Sequence, residues 1–181
     1  MKKIIAVVAF VVLSTTVFAQ KQMYKTTTAS IGFFSKATLE DIDAKNNQVT
    51  GLLDASTGNL AFIVVIKSFE FDKALMQTHF NDNYMESDTY PKSTFDGKIT
   101  NNADVKYGTN GSYSVTVSGK LTIHGVTKEV TATGKADVNG STVTLTSKFK
   151  VKLEDYNIKN DKIKNIASEI EVSVSAAMVK Q

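Results

Sequence analysis

Along residues 112–153 apolar and polar residues alternate almost without a break. Tyr113, Val115, Val117, Leu121 and Ile123 share one parity, while serine, threonine and lysine fill the other. Val126, Val130, Ala132, Ala136 and Val138 continue the apolar series, and Val143, Leu145, Phe149, Val151 and Leu153 resume it after Asn139-Gly140. Side chains alternate faces along a strand, so this pattern predicts a ribbon with one apolar and one wet side. Asn-Gly supplies the two positive-φ positions of a type I′ turn, which predicts a hairpin of residues 126–138 and 141–153. The apolar side of such a ribbon needs cover.

The rest of the chain offers more of the same. Residues 30–36, 48–53, 93–100, 105–107 and 166–179 read as strands. Residues 60–66 form a continuous apolar run whose two faces are both to be covered. Ile166, Ile170, Val172, Val174 and Met178 share one face of the final strand. Short turns join most of these segments, among them the cluster Asp54, Ser56, Thr57, Gly58 and Asn59. The pattern predicts an all-β fold, an antiparallel barrel of roughly eight strands, the size at which one small ligand fits inside. One stretch departs from strand period. Asp72 is a candidate N-cap, and Leu75, Met76, His79 and Phe80 recur at helical spacing, predicting a short helix to about Asn83 after the third or fourth strand. Pro91 holds Tyr90 extended and starts the next strand.

Composition adds an address. Lys2-Lys3, an apolar run from Ile4 to Leu13 and Val17-Phe18-Ala19 before Gln20 have the layout of a cleaved secretory leader, residues 1–19. Residues 20–181 then form one domain, a length that suits one closed core. The chain has 21 basic and 18 acidic residues, and removing Lys2 and Lys3 leaves 19 against 18. No basic stripe remains to attract nucleic acid. With no cysteine, an exported chain forgoes disulfides and lipid attachment, and the expected location is a bacterial periplasm.

Two segments carry more than periodicity. One runs Thr78-His79-Phe80-Asn81-Asp82-Asn83-Tyr84-Met85-Glu86-Ser87-Asp88-Thr89-Tyr90-Pro91 and on to Phe95; the other is Gly119-Lys120-Leu121-Thr122-Ile123-His124-Gly125-Val126-Thr127-Lys128-Glu129-Val130. Their order and spacing resemble the signatures of the YceI-like family of bacterial periplasmic proteins. That resemblance implies a lipocalin-like antiparallel barrel whose elongated cavity holds a polyisoprenoid or similar long-chain amphiphile. Phe80 stands where the family usually has leucine, Tyr84-Met85 replaces an aromatic pair, and the segment is a residue shorter. Those departures imply a differently shaped mouth.

Catalytic chemistry has little to draw on. There are two histidines, His79 and His124, and no cysteine, which is thin for a zinc site. His79 on the apolar helix face reads as a packed, hydrogen-bonded residue, and His124 before Gly125 as a turn residue. No nucleophile elbow, phosphate loop or dinucleotide pattern occurs. The chain is read as a non-enzyme with no cofactor and no metal. Lys148, Lys150 and Lys152 form a row on the wet face that reads as protection against edge pairing, with Glu169 and Glu171 as candidate partners. An anionic headgroup or membrane surface is the sharper reading of that row.

The inward stripes are the candidate site. Phe33, Phe62, Val64 and Phe95 on the earlier strands, Tyr113, Val115 and Val117 in the ribbon, and Phe149, Val151, Val172 and Val174 on the later strands are expected to line a cavity. Met76, His79, Phe80, Tyr84, Met85 and Tyr90 are expected at its mouth. The expected partner is an isoprenoid or fatty lipid, with transient membrane contact and a homodimer as further possibilities. Alternation does not distinguish a hollow barrel from one filled by its own side chains. The alternative is therefore a non-catalytic envelope interaction module with a filled core.

Overall fold

Strands form wherever alternation was read over a long stretch, and the sheet also recruits segments with weaker patterns. The computed structural model describes residues 22–36, 41–158 and 167–181. Among these the strands are β1 (Met23–Ser35), β2 (Ile42–Asn46), β3 (Val49–Asp54), β4 (Asn59–Val65), β5 (Phe69–Phe71), β6 (Lys92–Ile99), β7 (Gly111–Ile123), β8 (Val126–Asn139), β9 (Thr142–Lys152) and β10 (Glu169–Lys180). Neighbours run β10-β9-β8-β7-β6-β4-β3-β1, and β1 pairs back to β10. Eight strands thus close an antiparallel ring, the expected lipocalin-like barrel.

The two extra strands come from corners. Met23–Lys25 of β1 pairs with β3, whereas Ile31–Ser35 pairs with β2, and β5 adds outside β2. Asn46 sits at the corner between β2 and β3 and is fully buried. Its Nδ2 donates to the Val65 carbonyl at 2.6 Å, and its Oδ1 accepts from the Gln48 N–H at 2.7 Å. The β4–β5 path breaks at the same level in a 3-10 turn, Ile66–Ser68. One buried amide thus ties both corners together, replacing ladder bonds that the bend removes.

Four local expectations change. The 126–138/141–153 hairpin forms, but Asn139 pairs with Thr142 and only Gly140 of the turn has positive φ, at 59°, the pattern of a type II′ turn. The two-residue turn with both φ values positive lies instead at His124 (49°) and Gly125 (73°). Residues 105–107 are not a strand; a 3-10 turn over Asn102–Asp104 feeds Val105 and Tyr107 into the end of the barrel. Helix α1 (Ala74–His79) is shorter than expected and continues as a π turn over Phe80–Tyr84, and Lys73, not Asp72, takes the N-cap position without capping the helix through its side chain. The beginning of β1 escaped the pattern because a bulge between Thr26 and Thr28 breaks its parity. The leader and Ile166 lie outside the described residues.

One end of the ring is solid. Tyr24, Leu53, Val143 and Met178 are at most 1% exposed there. The Tyr107 hydroxyl donates to Asn102 Oδ1 at 2.7 Å, and Asn102 Nδ2 donates to the Ala55 carbonyl at 2.8 Å. Burial, with a smaller contribution from Tyr24, pushes the Tyr107 hydroxyl up to about 12.

Candidate functional site

Towards the other end the inward stripes separate and enclose a cavity of about 550 Å³. Phe33 of β1, Phe62 and Val64 of β4, and Phe95 of β6 line it, with Val115 and Val117 of β7. Phe149 and Val151 of β9 and Val172 and Val174 of β10 complete the wall. The volume falls in the range of about 300–1,000 Å³ usual for small-molecule sites. Tyr113 was expected there and is absent. It shares the inward parity but lies near the solid end, opposite the fully buried Ala136, and its hydroxyl folds back to donate to the Thr109 carbonyl at 2.9 Å.

Helix α1 and its π turn lie against β5 at the cavity end. Met76, His79, Phe80, Tyr84 and Met85 all face the space, as does Leu75, whose side chain is otherwise 66% exposed. Phe80 closes a cluster with Phe33, Phe69 and Phe71, its ring centroid 5.0–5.5 Å from each of theirs. The His79 imidazole has no hydrogen-bond partner among the described residues and lines the space, so it is a wall residue and not the hydrogen-bonded histidine expected. Tyr90, also expected at the mouth, is turned away. Its ring packs edge-on to His124 at 4.5 Å and over Gly125, where an added Cβ would come within 2.5 Å of the ring.

That packing fixes the loop that follows the helix. His124 Nε2 lies 2.9 Å from Glu86 Oε2, and its Nδ1 lies 3.2 Å from the Tyr156 carbonyl. Glu86 itself has φ 43°, an uncommon conformation for a residue with a side chain. The turn residue predicted from sequence is therefore also a pin between the β7–β8 turn, the loop after α1 and the 3-10 turn Leu153–Tyr156.

Polar groups are sparse on the wall. The buried Tyr84 hydroxyl and Asn81 Oδ1, both on the π turn, have no hydrogen-bond partner among the described residues, and burial raises the Tyr84 pKa. Lys148 and Lys150 lie outside, paired with Glu171 at 3.0 Å and Glu169 at 2.8 Å. Hydrogen bonding to Glu169 raises the Lys150 pKa. Among the described residues no three His, Cys, Asp or Glu side chains gather as metal ligands, and no helix is long and apolar enough to cross a membrane.

A sequence profile of the YceI-like domain matches residues 14–178. The chain belongs to the YceI-like family. Among solved structures it is similar to a polyisoprenoid-binding domain from Saccharophagus degradans implicated in plant cell wall breakdown, with 14% identity over 87% of this chain and 98% of that one, and a TM-score of 0.76. Burkholderia cenocepacia BcnA is 19% identical over 82% of this chain and 95% of its own, with a TM-score of 0.69. A Campylobacter jejuni YceI protein is 15% identical over 80% and 87%, with a TM-score of 0.60. No curated protein is a significant match. At these identities the likeness is one of fold.

Several lining residues of this YceI-like barrel were not singled out from sequence. Leu121, Ile123, Val130 and Ala132 lay on the parity already identified, and reading that parity to the strand ends would have found them. Phe69 and Phe71 carried a signal as well, the alternation Phe-Glu-Phe, but a three-residue strand is too short to stand out.

Proposed function

We propose that the chain is a periplasmic binding or carrier protein that holds a polyisoprenoid or similar long-chain lipid inside its barrel. One observation carries this reading: a cavity of about 550 Å³ walled almost wholly by aliphatic and phenyl side chains. The polyisoprenoid-binding relative from Saccharophagus degradans supports the ligand class, and the leader pattern of residues 1–19 supports the location. The protein's work is shielding, with no bond made or broken. Each CH₂ withdrawn from water is worth roughly 0.8 kcal/mol, whereas passage from a bilayer into a dry cavity is nearly neutral. Loading and unloading at a membrane are then reversible. Exposed Leu75 beside the cavity is the apolar residue best placed to touch the bilayer. Protein purified from a periplasm should yield lipid on organic extraction and a bound mass in native mass spectrometry. Recovery of empty protein in both would sink the proposal in favour of the interaction-module alternative.

A further inference from the structure

β8 and β9 form a hairpin for only part of their length. They pair from Asn139–Thr142 to Gly134–Ser147, and Ser147 Oγ donates to the Thr133 carbonyl at 2.7 Å. Beyond that point both strands continue but separate. β8 runs on against β7 as far as Val126, and β9 runs on against β10 as far as Lys152. No described residue pairs with the two edges that face each other. At the far end the 3-10 turn Leu153–Tyr156 packs back against β8, tied by the His124–Tyr156 contact. The barrel wall therefore contains a slot closed at both ends, roughly 23 Å long at about 3.3 Å per residue over 126–133.

The cavity reaches this slot. Val130 and Ala132 on one lip, Phe149 and Val151 on the other, and Lys135 and Thr146 where the strands part all line it. Val130, Ala132 and Phe149 are half-buried, yet Ala136 and Val143 on the same face of the paired portion are completely buried. The helix end is the poorer exit, since the Phe80 ring is held among three others.

We propose that the slot is the lateral portal of the cavity and holds the polar end of the bound amphiphile. This rests on the carrier reading above. The facing edges offer unpaired backbone donors and acceptors, which need partners other than apolar matter. Ser147 and Thr133 add hydroxyls where the strands diverge. At the β9 lip Lys148 and Lys150 are paired with Glu171 and Glu169, and Lys135 stands where the strands part. A head hydrogen-bonded between the lips leaves its tail in the apolar space.

The absence of cysteine makes the test direct. Thr131→Cys with Lys150→Cys places thiols on the outer faces of opposite lips, at exposed positions, and a short bismaleimide joins them. The probe is retinol, a fluorescent isoprenoid alcohol. Tethering should slow uptake and release by about tenfold or more, as expected when a gate is fixed. The same tether between Glu70→Cys and Ala74→Cys, which holds α1 to β5, should leave both rates unchanged. Unchanged rates with the lips joined, or a block by the helix tether instead, would overturn the portal alone. Failure of the unmodified protein to take up retinol would overturn the carrier reading and the portal with it.

Discussion

The two ends of this barrel are built from the same strands and the same alternation, yet one is solid and the other hollow. On β8 and β9, Ala136, Val138 and Val143 are at most 4% exposed. A few residues along the same faces, Val130, Ala132 and Phe149 border empty space. Residue type does not explain the difference, because valine and alanine occur at both ends. What differs is what the ring is asked to enclose. At the solid end all eight strands stay paired, and Tyr24, Met178 and the Tyr107 plug fill a narrow bore. At the hollow end β2 and β5 join the wall beyond the Asn46 corner and β8 parts from β9, so the circumference grows faster than the side chains can fill it.

The contrast can be broken by truncation. Leu53→Ala at the solid end should cost about 2–5 kcal/mol, the usual range for a cavity opened in a packed core. Val172→Ala should cost about 1 kcal/mol or less, since the space beside it is already empty. Urea midpoints at constant m-value would report both, and equal losses would mean that the two ends are packed alike. Enlargement should invert the asymmetry. Val143→Trp should destabilise by about 1–3 kcal/mol or more through overpacking. Val174→Trp, growing into the cavity, should leave the midpoint nearly unchanged and abolish lipid loading in native mass spectrometry.

The smallest effect sharpens the role of the plug. Tyr107→Phe should cost about 1 kcal/mol, the net worth of one hydrogen bond. It should also alter the alkaline limb of the stability curve. The folded Tyr107 holds its proton to about pH 12, whereas an unfolded tyrosine releases it near 10. Its contribution is therefore complete below pH 10 and is lost as pH rises from 10 towards 12. Thermal midpoints over that window should fall less steeply in the phenylalanine variant, though not flatten, because burial also raises Tyr24, Tyr84 and Tyr156. An unchanged slope would mean that the plug is open to water.

Much of the site was legible because β-strand parity is local. Phe62, Val117, Phe149 and Val174 face inward for a reason contained in their own segments, and the helix announced itself by a change of period. Tyr113 and Tyr90 were misplaced for the opposite reason. Tyr113 has the right parity at the wrong height, and Tyr90 is drawn aside by a turn glycine thirty-five positions along the chain, at Gly125. Asn46 was illegible in a different way, since a polar residue on an inward position reads as a fault until the two corners it bridges are seen.

By itself the sequence determined the long strands, the face most of their residues take and the family signatures at the hollow end, because these depend on neighbours a few residues apart. Tertiary structure decided where the interior is filled, which strands part, and which inward residues border a void. Those outcomes depend on the closure of the ring, and closure is set by β1 meeting β10 across nearly the whole length of the chain.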